Sequence, residues 1–357
     1  MPVLRLLLAA LVLTALATAC TSSLNLGDTP APHDTTPDSY VFVPVETAPG
    51  DACTNCDANN TNTDAGAAPR RWLTVQEGGL DVARAVWAWT PSDVWVGGGD
   101  GTYHYDGARW TASASNNTAT TIYGVWGSTS TDVWAVGQHG TSSANSSGII
   151  LHWNGMTWSP VTTQVAATLR GVWGSGAKDV WAVGSGGTIL HWNGFKWTAV
   201  DSLHTDDLYG VSGTSSTNAW AVGAGGTILN WEGTAWNERV SSGAYEALYS
   251  VHLVGPTDIW ALGEHGLVLH RKGGLTWNRV STPVPVSIVL RGISGTTPNN
   301  LWAVGDTATI VHWDGTKWSS VATASRMEIM AVTAHGDDAW AVGHNWEPHS
   351  MEILQYR

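Results

Sequence analysis

Charged side chains are scarce in this sequence, and positive ones most of all. Only 13% of the 357 residues are charged, and 16 Lys and Arg stand against 29 Asp and Glu, a formal net charge of −13. Because an acidic surface repels a phosphate backbone, this balance argues against a broad nucleic-acid interface. Phenylalanine is almost absent, at 2 residues, whereas Trp numbers 23 and Gly 41. That bias predicts many short strands and turns joined by a repeated aromatic motif, and not a helical protein.

Long apolar runs are also lacking, except near the amino terminus. Residues 6–16 are apolar over a length that suits a secretory signal but is too short for a membrane-spanning helix. Residues 16–20, Leu-Ala-Thr-Ala-Cys, resemble the lipobox of bacterial lipoproteins, which implies a signal peptide at residues 1–19 and a lipid on Cys20. A multiply acylated Cys anchors a protein to a membrane, and Thr21 in place of Asp favours the outer membrane or the cell surface. Ordinary signal cleavage without lipidation is the alternative.

Residues 20–70 contain few apolar side chains and are rich in Thr, Asp, Asn, Ala and Pro. Such a segment cannot bury enough surface to offset its chain entropy, so we predict a disordered tether with a span of roughly 40 Å. Cysteine is scarce, at 3 residues, and Cys53 and Cys56 lie in this segment. In an exported chain they predict a small disulfide loop. A metal site is the alternative, although two thiolates alone do not complete a zinc shell.

From residue 71 onward, a phrase that reads Asp-Val-Trp-Ala-Val-Gly in its clearest form recurs seven times. Its Trp residues are spaced by 39, 47, 39, 40, 42 and 38 residues, a period typical of a propeller. Each repeat contains four short β-branched or aromatic segments that end at Gly, Asn or Asp. We therefore predict an all-β fold, a seven-bladed β-propeller with four antiparallel strands per blade. The repeated residues are Trp95, Trp134, Trp181, Trp220, Trp260, Trp302 and Trp340.

The two ends of the repeat region predict how the ring closes. The seventh repeat stops after its third strand, at Arg357, and lacks a fourth. Residues 71–75, Arg-Trp-Leu-Thr-Val, match the fourth-strand segment at residues 196–200, Lys-Trp-Thr-Ala-Val. An N-terminal strand that completes the last blade would remove an exposed sheet edge. We expect one closed, monomeric propeller domain at residues 71–357.

Most of the repeated side chains are predicted to be structural. Trp residues at one blade position are expected to pack between neighbouring blades, and the Asp or Asn before each second-strand Trp to accept backbone N–H bonds in a turn. Third-strand His residues lie roughly 20 Å from the axis, too far apart to share a metal ion, and are expected to form a hydrogen bond within each blade. Residues 344–349 hold two His and one Glu without a known zinc spacing, so we predict no metal and no cofactor. The third-strand residues are His104, His152, His191, His270 and His312.

The opening residues of the first strands are the candidate ligand-binding residues. First strands line the central channel, so their side chains are expected to converge on a single anionic or sugar-like group at the channel mouth. The alternative is that they stack and hydrogen-bond with neighbouring loops. Met330 takes this position in the seventh blade, and the other six residues are Arg84, Tyr123, Arg170, Tyr209, Tyr249 and Arg291.

Residues 186–197, Gly-Gly-Thr-Ile-Leu-His-Trp-Asn-Gly-Phe-Lys-Trp, resemble the repeat of the bacterial neuraminidase (BNR, or Asp-box) propellers. The resemblance is strongest to the seven-bladed photosystem II assembly factor family. Those factors carry an arginine patch, and Arg84, Arg170 and Arg291 lie at a comparable repeat position. The resemblance implies a scaffold or recognition module, and the N-terminal signal assigns it to the cell envelope.

Three functions follow from these features. The first is a non-catalytic envelope lipoprotein that binds or assembles with another protein through a propeller face. The alternative is a carbohydrate-binding lectin, which requires pockets with a Trp and polar partners. A less favoured alternative is a sialidase-like glycoside hydrolase, which requires a carboxylic acid and an activated Tyr or carboxylate near the arginines. Glu246 and Glu328 are the nearby loop carboxylates.

Overall fold

The computed structural model describes residues 69–78, 82–114, 120–140, 147–163, 165–238, 243–345 and 350–357. These described residues form twenty-eight strands in seven four-stranded antiparallel sheets, arranged as the blades of a propeller. The predicted all-β, seven-bladed architecture is confirmed. In every blade the strands follow each other from the channel outward, and the first strand lines the channel.

The strand bounds of the blades are as follows. Blade 1 contains β2 (Ala83–Thr90), β3 (Asp93–Gly98), β4 (Gly101–Tyr105) and β5 (Trp110–Ala114). Blade 2 contains β6 (Thr120–Thr129), β7 (Asp132–His139), β8 (Ser147–Trp153) and β9 (Trp158–Val161). Blade 3 contains β10 (Leu169–Gly176), β11 (Asp179–Gly184), β12 (Ile189–Trp192) and β13 (Trp197–Val200). Blade 4 contains β14 (Leu208–Ser215), β15 (Asn218–Gly223), β16 (Ile228–Trp231) and β17 (Trp236–Glu238).

The remaining three blades complete the ring. Blade 5 contains β18 (Leu248–Gly255), β19 (Asp258–Gly263), β20 (Val268–Lys272) and β21 (Asn278–Arg279). Blade 6 contains β22 (Leu290–Thr297), β23 (Asn300–Gly305), β24 (Thr309–Trp313) and β25 (Trp318–Ser320). Blade 7 contains β26 (Glu328–His335), β27 (Asp338–Asn345), β28 (Ser350–Tyr356) and the N-terminal strand β1 (Trp72–Glu77).

Strand β1 closes the ring as the sequence predicts. It pairs antiparallel with β28, with Trp72 opposite Tyr356 and Glu77 opposite Glu352. The Arg71 amide also donates to the carbonyl of Arg357 at 3.0 Å. Because β28 would otherwise be the outermost strand of blade 7, this pairing satisfies its backbone groups and covers an open sheet edge.

Antiparallel order gives the propeller two distinct faces. The loops that enter the first strands and the turns between second and third strands lie at one end of every blade, which we call the mouth face. The turns between first and second strands and between third and fourth strands lie at the other end, the opposite face. Three short 3₁₀ helices, Ser185–Gly187, Ala224–Gly226 and Glu264–Gly266, form second-to-third turns on the mouth face.

The second-strand Trp residues pack between blades, as predicted. Trp181 of blade 3 is fully buried and meets Trp236 of blade 4 edge-on, with ring centroids 5.2 Å apart. Its other neighbour is His191 of its own blade, stacked at 4.1 Å. The ring closes in the same way, because Trp340 of blade 7 meets Trp110 of blade 1 at 5.8 Å. Aromatic contacts of this kind join all seven blades, and each pair of neighbouring blades shares its own hydrophobic core.

The Asp residues at the start of the second strands act differently from the prediction. Asp179 accepts a hydrogen bond from His191 Nε2 at 2.6 Å and another from the Ser175 hydroxyl at 2.5 Å, so its partners are side chains and not backbone N–H groups. Burial acts to raise the pKa of Asp179, but these two donors hold it below its usual value. The predicted hydrogen bond of the third-strand His within each blade is confirmed. The other pairs are His104–Asp93, His152–Asp132, His270–Asp258 and His312–Asn300.

Tight turns join third and fourth strands on the opposite face. In blade 6, the Asp314 carboxylate accepts the backbone N–H groups of Thr316 and Lys317 at 2.8 and 2.9 Å. The Thr316 hydroxyl donates to the same carboxylate, and these bonds lower the pKa of Asp314 to about 2. Gly315 has a φ of +95°, a conformation that L side chains rarely adopt, which explains the Asp-Gly or Asn-Gly pair in this turn.

Candidate functional site

The structure brings all six predicted ligand-binding side chains to one cavity of about 170 Å³ at the channel mouth. Most of them lie one residue inside their strands, because the strands begin slightly earlier than the pattern suggests. Met330 lines the cavity from the seventh blade, as expected. The geometric part of the prediction therefore agrees with the structure, whereas a role in ligand binding stays a prediction.

Arginine and tyrosine side chains contact one another around the mouth. The Arg84 guanidinium lies over the Tyr123 ring, 5.3 Å from its centroid. The Arg170 guanidinium lies between two rings, 5.6 Å from Tyr123 and 5.4 Å from Tyr209. Tyr209 in turn stacks on Tyr249 at 5.1 Å. These cation–π and stacking contacts hold the side chains in fixed positions, which agrees with the alternative interpretation that the residues stack and hydrogen-bond with their neighbours.

The three arginines differ in their acidic partners. Arg291 pairs with Asp306 at 2.5 Å, and Arg170 lies 3.7 Å from Asp207. Among the described residues, no carboxylate lies within ion-pair distance of Arg84, and its buried Nε forms no hydrogen bond with them. Burial lowers the pKa of Arg84, and the positive charges of Arg291 and Arg170 lower it further. An anion bound beside Arg84 would relieve both effects.

Two tyrosines of the mouth have raised pKa values. Burial raises the pKa of both Tyr209 and Tyr249, and nearby carboxylates add to the effect. The Tyr249 hydroxyl donates to Glu264 at 3.4 Å. A phenol with a raised pKa is a poor nucleophile, and no Asp or Glu lines the cavity. Of the loop carboxylates named from the sequence, Glu246 is occupied by an ion pair with Arg279 at 2.9 Å.

Three exposed apolar side chains on the mouth face were not predicted. Leu203, Tyr245 and Val286 lie in the loops that enter the first strands of blades 4, 5 and 6, and 76%, 89% and 76% of their surfaces are exposed. We call these three residues the apolar crescent. Exposed apolar residues that follow one another on one face often mark an interaction surface. A scan for apolar residues within otherwise polar loops could have found them.

The other predicted sites lie largely outside the described residues. Cys20, Cys53 and Cys56 are not among them, so the lipid attachment and the disulfide stay predictions. His344 and Asn345 end β27, and residues 346–349 are outside the described part. The described residues include no group of three or more His, Cys, Asp or Glu that could hold a metal ion. Within the same residues, no helix is long and apolar enough to span a membrane.

Comparisons with known proteins agree on the propeller fold. No protein-family model and no curated protein sequence matches the chain. A structure of the photosystem II assembly factor YCF48 bound to a D1 peptide superimposes with a TM-score of 0.64 at 15% identity, over 82% of this chain and 96% of that one. YCF48 from Cyanidioschyzon merolae gives 0.62 at 14% identity, over 80% and 99%. The WD40 propeller domain of Doa1 gives 0.61 at 14% identity, over 79% and 96%. The expected similarity to the assembly factor propellers is confirmed at the level of the fold.

Proposed function

We propose that this chain is a non-catalytic cell-envelope lipoprotein whose propeller binds another protein through the mouth face. The observation that carries the proposal is the cluster of arginines at the mouth, in which Arg84 has a buried, unpaired Nε and no acidic partner among the described residues. A half-buried positive charge without an acidic partner favours a negatively charged group from outside, because that group would offset the loss of hydration.

The size of the mouth cavity supports a protein partner over a free small molecule. Its volume of about 170 Å³ is smaller than the roughly 300–1,000 Å³ of most small-molecule sites. A carboxylate at the end of a side chain or a chain terminus fits this space, whereas the rest of its molecule has to lie outside. The apolar crescent lies on the same face, where it supplies the apolar contacts that accompany charged anchors in protein interfaces.

The predicted lipid anchor is compatible with an accessible mouth. Residue 72 begins β1 on the opposite face, so a tether that reaches a lipid on Cys20 leaves the propeller from that face. The point of attachment therefore lies on the face away from the mouth. The opposite face carries acidic side chains, such as Asp106 and Asp314, and also all lysines of the chain. The lysines are Lys178, Lys196, Lys272 and Lys317.

The structural neighbours support a binding role. One of the YCF48 structures contains a D1 peptide, and the other neighbours include a WD40 domain. From these neighbours we infer only the class of ligand, a protein segment.

The proposal is tested by affinity capture with chain from residue 21 onward, which lacks the predicted signal and lipid. The bait is incubated with a detergent extract of the envelope of the source cells, and captured proteins are quantified by mass spectrometry. We expect Arg84→Gln to reduce recovery of the specific partner at least tenfold, since loss of one partner of a desolvated charge pair costs about 2–5 kcal/mol of binding.

Two controls separate the mouth face from the rest of the surface. Arg109→Gln removes an exposed charge from the turn between β4 and β5 on the opposite face and is expected to leave recovery unchanged. A triple variant of the apolar crescent, with Ser at all three positions, is expected to weaken capture, whereas Ser at Met156, Phe195 and Leu275 on the opposite face is not. Equal recovery by wild type and Arg84→Gln would overturn the mouth as the binding site.

A further inference from the structure

The outermost strands of blades 7 and 1 share an irregularity. In β1, Thr74 pairs with Leu354 and Gln76 with Ile353, which leaves Val75 between them as a β-bulge. In β5, Ala112 pairs with Tyr103 and Ala114 with Thr102, so Ser113 is bulged at the equivalent position, three residues after the strand's Trp. Bulges redirect side chains and recur beside binding sites.

The residue at this position differs between the two bulges, and so does the space beside it. Val75 packs into the core shared with Tyr103 and Tyr105 of blade 1. Valine also lies at this position in blades 2, 3, 5 and 6, where it packs against a hydrophobic core that two neighbouring blades share. In blade 1 the small, polar Ser113 leaves that contact unmade, and a groove of about 690 Å³ lies between blades 1 and 2. The other valines are Val161, Val200, Val280 and Val321.

The walls of the groove are mainly apolar and rigid. Ile149, Leu151 and Trp153 lie at alternate positions of β8 and therefore face blade 1 together. Trp153 and Trp158 are fixed from behind by Trp95 of blade 1, whose ring centroid is 5.2 and 5.3 Å from theirs. The two indoles are 5.9 Å apart and inclined at 46°, so they form a rigid corner in which a ring can stack on one indole and contact the other with its edge.

Hydrogen-bonding groups are few and lie mainly at one end. On the mouth-face side, Thr120 Oγ1 and His139 Nδ1 are 3.2 Å apart and both line the groove. Ser113 adds a hydroxyl along one wall and Thr157 another at the far end, and none of the described lining residues is Asp, Glu, Lys or Arg. This lining complements an uncharged molecule, because a charged one would lose its hydration without a counter-charge.

We propose that the groove between blades 1 and 2 binds an uncharged, largely apolar ring compound, packed between Trp153 and Trp158 with a hydrogen-bonding group toward Thr120 and His139. A volume of about 690 Å³ lies within the roughly 300–1,000 Å³ of small-molecule sites. This site is separate from the channel mouth and does not depend on the function proposed for it.

The uncharged dye Nile red is the probe for this site. Titrated into the chain from residue 21 onward, it is expected to show a blue-shifted emission that saturates at one dye per chain. Ser113→Phe places a ring in the groove and is expected to weaken binding at least tenfold. Ser320→Phe adds the same ring to an exposed position on the outermost strand of blade 6 and is expected to change nothing.

A second variant distinguishes loss of dye binding from a folding defect in Ser113→Phe. Ser113→Val introduces the residue found at this position in five other blades, so it is expected to fold and to weaken Nile red binding by a smaller factor. Unchanged affinity in both Ser113 variants, or dye emission that never saturates, would overturn the proposal. So would a dimer in sedimentation velocity that Ser113→Phe dissociates, since the groove would then be a contact between two copies of the chain.

Discussion

Blade 1 has a different contact with each of its two neighbours. Toward blade 7, Val75 of β1 reaches across the bulge and packs with Tyr103 and Tyr105. Toward blade 2, Ser113 occupies the same bulged position, no residue of β5 joins the shared core, and a groove remains. The strand geometry is the same on both sides, so one side chain accounts for much of the difference.

The difference between the two contacts shows where close side-chain packing is needed to hold the ring together. Strand β1 precedes the whole ring in the chain and is held in blade 7 by pairing with β28, so its side-chain contacts must hold it there. Trp72 is 4% exposed and meets Trp302 of blade 6 at 5.2 Å, while Val75 packs toward blade 1. Strand β5 continues directly from its own hairpin and keeps its place without such a contact. A cavity there costs less stability than a cavity beside the closing strand.

Removal of the closing strand is expected to have the largest effect. A chain that begins at Gly78 lacks β1, which exposes Trp302 and leaves the edge of β28 unpaired. Loss of one buried Trp alone costs about 3–5 kcal/mol, and loss of the strand adds its backbone hydrogen bonds. We expect a loss of more than about 5 kcal/mol in the free energy of unfolding, measured by urea titration of Trp fluorescence. A chain that begins at residue 69 is the control, and equal urea midpoints would contradict closure by β1.

The contact between blades 5 and 6 can be compared with these two by changing the pH, because it contains a titratable group. His252 of blade 5 donates from Nε2 to the carbonyl of Gly295 in blade 6 at 3.0 Å, and burial lowers the pKa of His252 to about 4. The unfolded chain binds a proton near pH 6.5, whereas the folded chain binds it only near pH 4. The stabilisation that comes from neutral His252 is therefore fully present above pH 6.5. The free energy of unfolding falls by on the order of 2 kcal/mol as the pH drops to 4.

The measurement for this contact is urea unfolding at pH 7.5, 5.5 and 4.5. His252→Gln keeps a side-chain donor but cannot titrate, so its stability is expected to decline less over this range than that of the wild type. The remaining decline in the variant reports other groups, such as His312, whose pKa burial also lowers. Parallel curves for the two proteins would contradict the assignment to His252.

The architecture was predictable because each blade repeats the same chemistry. The spacing of the second-strand Trp residues predicts the seven blades, and the match between residues 71–75 and 196–200 predicts the closing strand. Convergence of Arg84 and its counterparts follows from the same register, since first strands line the channel. Repeat position alone therefore predicts where a strand or side chain lies, but it did not predict the partners of the repeated Asp residues.

The individual side-chain partners that strand register brings together were not predictable from the repeat. The bond from His191 to Asp179 joins residues 12 apart, and only the register of β11 and β12 brings them together. The bulge at Ser113 arises from hydrogen-bond pairing with Thr102 and Tyr103, which residue type alone does not reveal. The lack of an acidic partner for Arg84 depends on the positions of loops from other blades.

Exchange of the two bulge residues tests the comparison directly, and Val75→Ser has the larger expected effect of the pair. It removes two apolar groups from the contact with Tyr103 and Tyr105, and a partly buried Val replaced in this way costs about 1–2 kcal/mol. The measurement is the urea midpoint at neutral pH. Thr74→Ser, one residue away and outside that core, is the control. A Val75→Ser midpoint equal to that of the control would show that the valine does not stabilise the contact between blades 7 and 1.

Ser113→Val is the reverse exchange and the smallest effect. The valine would cover part of the groove wall formed by Leu151 and Trp153, and burial of about two extra methyl groups in a half-open site is worth roughly 0.5–1 kcal/mol. Stability is therefore expected to rise slightly while the space for a ligand shrinks, the combination found where a sequence departs from its own repeat for function. Differential scanning calorimetry measures the gain in stability, and the Nile red titration measures the loss of dye affinity on the same samples. A variant that is less stable than the wild type would mean that Ser113 serves the bulge itself, and the groove would then be a by-product of strand geometry.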